Sequence, residues 1–388
     1  MKCPACSSED LIPFIQIEAV PTHYNVPFKT REAALSSPRG AMNLAHCPAC
    51  GFVYNVAFDP ALIPYSEGYE NSLHYSSRFD DFARGLASSL IERHGLHDKL
   101  IVEIGCGRGD FLCMLCEDGN RGIGCDPSYA GTKPERRGAE NVSITAEPYA
   151  AWTSPAPVDL LCCRHTLEHV REPGPFLEGL RDMVNRSRTP GSVYFEVPNA
   201  AHMLESEAGI WDVTYEHCAY FSTTSLAAVF ERAGYAVSGI SSAFDDQFLS
   251  LHGSTQVGLS PSASTVAPVA WAGAVARFGD RFTRTVQQFD ADLSRWHAQG
   301  RRPVVWGGGS KGITFLNVVP AAQDIEYVVD INPHKQGLFV PGSGQRFVSP
   351  DFLRDYQPEV VILMNAIYRD EVRGRLRDLG LAPELLTV

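Results

Sequence analysis

The stretch Lys99–Leu115, KLIVEIGCGRGDFLCML, constrains the fold more than any other part of the 388-residue chain. Its apolar run ends at Glu103, glycines follow at positions 105, 107 and 109, and a helical pattern resumes at Asp110. A buried strand that turns through glycines into a helix is the opening unit of a parallel α/β sheet. The alternation then continues. GDFLCMLCEDG reads as a helix closed by Gly119, RGIGCD and VDLLCCRH as strands, PGPFLEGLRDMVN as a helix and GSVYFEVPN as a further strand. The expected core is a doubly wound, Rossmann-like α/β sheet. Ahead of it a helix is expected from about Ser76, with Phe79, Phe82, Leu86, Leu90 and Ile91 on one face.

Prolines at positions 4, 13, 21, 27, 38 and 48 keep the first 60 residues loop-rich. Beyond the core, SPSASTVAP (Ser260–Pro268) reads as a linker into an amphipathic helix that starts near Trp271. A second, shorter α/β pattern follows in RPVVWGGGSKGITFLNVV, IEYVVDIN and PEVVILMN. Three units are expected: an N-terminal metal-binding segment over 1–60, the core over 61–245, and a linker helix plus a smaller Rossmann-like α/β domain over 246–388.

Composition narrows the partners. A formal net charge of -12 disfavours nucleic acid and anionic membrane surfaces, both of which want a surplus of Lys and Arg. No apolar run approaches the roughly 18–20 residues that span a bilayer, and MKCPACSSED lacks the apolar region of a signal peptide. A cytoplasmic protein with a small-molecule substrate is expected, monomer or dimer being left open.

CPAC occurs twice among the eleven cysteines, as Cys3/Cys6 and Cys47/Cys50. Thiolates two residues apart grip one side of an ion, so two such pairs complete a tetrahedral Zn²⁺ shell. Gly51 after the second pair suits the turn. Four protein ligands close the shell, which points to a structural zinc. The other seven cysteines lie mostly in apolar stretches, and the odd total fits a reducing compartment.

A nicotinamide loop reads G-x-G-x-x-G, but the third glycine position here is Asp110. The pattern present is acid-x-Gly-x-Gly-x-Gly: Glu103, Gly105, Gly107, Gly109. Asp126 ends the next strand, 21 residues beyond Gly105, placed to accept ribose hydroxyls. In that order the set resembles the class I S-adenosylmethionine (SAM)-dependent methyltransferases. The resemblance implies a SAM site at Glu103, Gly105, Cys106, Gly107, Gly109, Asp110 and Phe111, with Asp126 and Pro127 at the adenosine. Arg164, His165 and His169 would flank it from the third strand and the HTLEHV turn, and Tyr69 and Ser72 from the segment before the core. His165, Glu168 and His169 also admit a metal-site reading; a cofactor-lining turn is preferred.

WDVTYEHCAYFS (Trp211–Ser222) gathers aromatics around Glu216 and His217 and reads as an aromatic hairpin. A histidine titrating near neutral pH is a fit general base. The order of CxxC segment, core, YEHCAYFS and WGGGSKGITFLNV…VVDINPHKQGLFVPG is similar to that of the sugar C-methyltransferases, which act on nucleotide-activated keto-deoxysugars. This resemblance implies that His217 removes a proton alpha to a ketone, assisted by Glu216. Tyr215, Tyr220 or a main-chain amide would be the donor that stabilises the enolate. VVWGGGSKG sets glycines at a helix start, a ready anion site, so Ser310, Lys311 and Asn317, with Asn199, are the expected acceptor contacts. Two rivals stay open: an O- or N-methyltransferase on the same scaffold, and a non-catalytic SAM-binding protein.

Overall fold

The computed structural model describes residues 2–63, 68–147, 156–185, 191–256 and 271–388; the expected linker Ser260–Pro268 lies outside them. In chain order the strands begin with β1 (Ile12–Pro21), β2 (Arg39–His46) and β3 (Val53–Asn55). The next are β4 (Leu100–Ile104), β5 (Arg121–Cys125), β6 (Val142–Thr145), β7 (Leu160–Arg164) and β8 (Ser192–Pro198). Then come β9 (Ala219–Tyr220), β10 (Ala236–Ala243) and β11 (Phe248–Ser254). β12 (Pro303–Trp306), β13 (Tyr327–Val329), β14 (Arg346–Val348), β15 (Val360–Leu363) and β16 (Glu384–Thr387) complete the set.

Among the described residues these form three sheets, ordered β1-β2-β3-β9, β10-β11-β8-β7-β4-β5-β6 and β14-β13-β12-β15-β16. The central sheet is parallel from β8 through β6, with β10 and β11 added antiparallel at one edge. The third sheet is wholly parallel. β4 and β7 are buried along their whole length, as strands covered on both faces must be.

Three expectations need correction. A core boundary at 245/246 would cut the β10–β11 hairpin; β11 pairs with β8, so the core sheet runs through Ser254. The helix after the glycine turn is shorter than read, Asp110–Leu115. The Asn120 amide donates to the Leu115 and Leu96 carbonyls at 2.9 and 3.1 Å, satisfying a freed helix-end acceptor and turning the chain toward β5. The aromatic stretch is no hairpin: it is a 3₁₀ turn over Glu207–Asp212, a loop, and the two-residue β9, which pairs with β3.

The first core helix spans Ser77–His94, capped by the Ser76 hydroxyl and ended by Gly95 at φ 57°. Phe79, Ala83, Ala87 and Leu90 form its buried stripe, while Phe82, Leu86 and Ile91 pack at the margin of the same cluster. The 40 residues between the cysteine pairs build β1, a short helix over Arg31–Leu35 and β2. The long helix Trp271–Ala298 then leads to the third sheet, its buried Phe278 meeting Phe14 edge-on at 5.8 Å.

Candidate functional site

Parallel strands leave their carboxyl ends open to a crevice, the usual ligand position in such sheets. Here the ends of the central and third sheets face one another across a cavity of about 720 Å³. Of the expected cofactor residues, Glu103, Gly105, Cys106, Gly107, Asp110 and Phe111 line it, as do Tyr69, Ser72, Arg164, His165 and His169. Gly105 has φ +70°, and a Cβ there would overlap the Thr166 hydroxyl. Only glycine fits.

Glu103 is 3% exposed, and its Oε2 has no hydrogen-bond partner among the described residues. Burial pushes its pKa up to about 8, against the pull of Arg164. Arg164 itself is committed to Glu196, its Nε and Nη2 donating at 3.0 and 2.7 Å, and its guanidinium lies 4.1 Å from the Phe111 ring centre. Burial raises Glu196 too, but Arg164 and His165 outweigh it and hold the carboxylate at about 2. A sulfonium cofactor with an amino-acid tail brings an ammonium group. A buried carboxyl with one free oxygen beside an open glycine turn suits it.

His217 lines the same cavity. Its ring stands edge-on to His169, centroids 4.8 Å apart at 89°. Burial, followed by the two neighbouring histidines, lowers its pKa well below the usual value, so the imidazole is neutral and able to accept a proton at pH 7. Glu216, next to it, is turned away. Its Oε1 accepts from the main-chain N–H groups of Tyr24 and Asn25 at 2.6 and 3.2 Å. Its Oε2 accepts from the Asn25 amide and the Tyr69 hydroxyl at 3.1 and 3.0 Å. The Tyr24 hydroxyl in turn accepts from Thr314 at 3.4 Å, so one residue ties together the N-terminal segment, the core and the third sheet.

The structure separates several expected site residues from the cavity. Glu216 and Tyr215 do not line it: the first anchors the N-terminal segment, and the Tyr215 hydroxyl accepts from the Asp59 N–H at 2.9 Å. Tyr220 lines the cavity with its ring, but its hydroxyl is bound to the Thr214 N–H and carbonyl at 3.1 and 3.2 Å. Asp126 lies off the wall, its Oδ2 accepting from Gly107 N–H at 2.7 Å and its Oδ1 from the Ser128 N–H and hydroxyl at 2.8 and 2.6 Å. It braces the glycine turn. Pro127 and Gly109 are also off the wall, Gly109 packing on Ile144 at φ +90°.

Of the expected acceptor contacts, Ser310, Lys311 and Asn199 line the cavity. Asn317 does not; its amide donates to the Ile313 and Pro341 carbonyls at 3.0 and 2.9 Å and its oxygen accepts from Arg39 at 3.1 Å. The alternative metal trio of His165, Glu168 and His169 is not assembled among the described residues: Glu168 and His169 gather with His217 instead, and His165 Nε2 turns to Glu196 at 3.0 Å. Sequence reasoning missed Asn25, which sits among prolines in a segment with no chemical motif, and the place of Glu168 beside His217.

The sulfurs of Cys3, Cys6, Cys47 and Cys50 all lie within 4.8 Å of one another, with Cys3–Cys50 at 3.7 Å and Cys6–Cys47 at 3.6 Å. Zn–S bonds of about 2.3 Å at tetrahedral angles put sulfurs about 3.8 Å apart. The cluster fits a four-thiolate zinc.

Residues 79–238 match the methyltransferase domain family, and residues 267–381 match the C-methyltransferase C-terminal domain family. The chain is a SAM-dependent methyltransferase. Among its curated relatives is the C-methyltransferase NovU of Streptomyces niveus, 27% identical over 74% of this methyltransferase and 72% of NovU. The ubiquinone biosynthesis O-methyltransferase of Pseudoalteromonas translucida is 23% identical over 37% of this chain and 66% of that protein. Among solved structures, the 1,6-didemethyltoxoflavin N1-methyltransferase of Burkholderia thailandensis is 18% identical, covering 46% of this chain and 80% of that one at a TM-score of 0.36.

Proposed function

We propose that the methyltransferase methylates carbon in a small keto metabolite, a nucleotide-linked keto-deoxysugar in the reading the sequence resemblance favours. The observation that carries this is the position of His217, a neutral imidazole on the same cavity wall system as the glycine turn. SAM, when bound, supplies a methyl group on a sulfonium. Glu103 would hold its charged tail, and the glycines would let it approach the backbone. His217 would take the proton alpha to the acceptor's carbonyl, its imidazole already unprotonated and held in place beside the bound acceptor. Glu216 acts as a positioning residue, because four donors fix its carboxylate and with it the turn that carries His217.

Lys311 and Arg375 on the opposite wall support an anionic acceptor; the Lys311 ammonium now rests on Asp212 at 2.7 Å and would exchange it for a phosphate. The four-cysteine cluster would hold zinc away from the chemistry, and its thiols need a reducing compartment such as the cytoplasm. The family's C-terminal domain supports carbon rather than oxygen as the acceptor atom. Heavy water tests this. With SAM omitted, the enzyme should exchange the proton alpha to the carbonyl in a panel of nucleotide-linked 4-keto-6-deoxysugars, and His217→Ala should not. Methylation without any such exchange would favour an oxygen or nitrogen acceptor instead.

A further inference from the structure

A carbanion next to a carbonyl forms only if something receives the charge that collects on the oxygen. The tyrosines nearest His217 in the sequence and Tyr69 are already engaged. The Tyr215 hydroxyl lies on the Asp59 main chain, the Tyr220 hydroxyl on Thr214, and the Tyr69 hydroxyl donates to Glu216. Near His217, one carboxyl keeps an oxygen with no such commitment among the described residues. Glu168, in the 3₁₀ turn Leu167–His169 after β7, lines the cavity at 1% exposure, and its Oε2 has no partner. Its carboxyl, a nitrogen of His169 and a nitrogen of His217 lie within 4.8 Å of one another.

We propose that Glu168 is the proton-bearing donor that binds the acceptor's carbonyl oxygen while His217 removes the neighbouring proton. This rests on the base reading given above and deepens it. Several groups face the carboxyl. His165 Nδ1 lies 3.9 Å from Oε1, His169 and His217 stand within the cluster, and Glu196 acts on it as a like charge. Burial raises the pKa of Glu168 to about 8, so the carboxyl keeps its proton at pH 7 and can donate. His169 is held near 4 by burial and is hydrogen-bonded to the Glu216 main chain, which leaves it neutral between the two.

The balance closes without any further reactant. His217 takes the proton from carbon, the C–H pair becomes the carbon–carbon π bond, and the carbonyl π pair moves to oxygen against the Glu168 proton. The carbon then bonds to the sulfonium methyl as the methyl–sulfur bond breaks, its pair going to sulfur. The oxygen pair returns to the carbonyl, Glu168 keeps its proton, and His217 releases one proton to solvent.

The test compares Glu168→Gln, whose amide still donates, with Glu168→Ala, which cannot. Both should bind SAM with wild-type affinity by calorimetry. On whichever keto-sugar nucleotide the wild type methylates, Glu168→Ala should lose about 100- to 1,000-fold in kcat, the range for a lost oxyanion donor. Glu168→Gln should stay within about tenfold. A Glu168→Ala kcat within threefold of wild type overturns the proposal. If the panel contains no acceptor, the base reading fails on its own, and carboxyl ¹³C NMR still decides Glu168. A protonated signal at pH 7 that vanishes in Glu168→Gln supports the assignment, and an ionised one overturns it. A second bound zinc per chain, lost in Glu168→Gln, would also overturn it.

Discussion

Asn25 and Glu216, 191 positions apart in sequence, are joined twice: the Asn25 main-chain N–H donates to Oε1 at 3.2 Å and its side-chain amide to Oε2 at 3.1 Å. The metal-binding segment thereby holds the turn that carries His217. The β3–β9 pairing, with Val53 opposite Tyr220, adds a second clasp between the same two units.

Replacing Glu216 by Gln puts an amide N–H₂ where two donors converge. One of those donors loses its acceptor, at a cost of about 1–3 kcal/mol for a buried hydrogen-bonding group. The melting temperature should fall and kcat should drop, while calorimetry finds SAM binding unchanged. An undisturbed melt with an undisturbed rate would refute the anchoring role.

Chelation, or Cys47→Ser, should release the ion from the four-sulfur cluster. Metal analysis should find one zinc per chain beforehand. Because the segment clasps the His217 turn, thermal stability and methyl transfer should fall together. Loss of metal with full activity would show that the clasp holds without the ion.

Gly105→Ala and Gly107→Ala give a graded pair. At Gly105 the new Cβ overlaps the Thr166 side chain, whereas at Gly107 nothing lies within 4 Å and only the left-handed backbone resists. SAM affinity should fall more than about 100-fold in the first. In the second it should fall about 5–10-fold, as roughly 1 kcal/mol of left-handed strain implies. Equal losses would mean that the overlap is relieved by a shift of Thr166.

Two buried carboxyls contribute to stability without ligand with opposite signs in pH. Glu103 is raised from 4.5 to about 8 on folding, so its contribution is fully present below about pH 4.5 and is lost as pH rises through 8. Glu196 is lowered to about 2, so its contribution is present above pH 4.5 and is lost as pH falls through 2. Urea unfolding at pH 5, 6, 7 and 8 should show the wild type losing stability relative to Glu103→Gln as pH rises, on top of the opposite trend from histidines that burial lowers to about 4, such as His169 and His252. Identical slopes would refute the assignment.

Lys311→Met should raise the acceptor KM about tenfold without changing SAM affinity, because Lys311 lies on the wall opposite the glycine turn and its charge is shared only with Asp212. A change in SAM affinity with no change in acceptor KM would place the two ligands the other way round.

Much of the core was legible because it is written locally. The run at Lys99–Leu115 encodes a strand, a turn that needs left-handed glycines and a helix, and the structure has all three. The paired CPAC motifs likewise carry their geometry in their spacing. Asp126 shows the limit of such reading. Its place at a strand end was plain, but whether its oxygens meet a ligand or the Gly107 and Ser128 donors depends on how two loops approach each other. Tyr215, Tyr220 and Asn317 show the same limit: each polar end is taken by a main-chain group or side chain that only the packed fold brings near.

The sequence by itself determined the parallel strands around the glycine turn, the turn itself and the thiol cluster, since periodicity, backbone freedom and ligand spacing act over a few residues. Only the tertiary structure decided which polar groups face the cavity. That choice depends on hydrogen-bond partners more than a hundred residues away, such as Asn25 for Glu216, and on burial, which keeps Glu103 and Glu168 protonated at pH 7, each with an oxygen that no described residue engages.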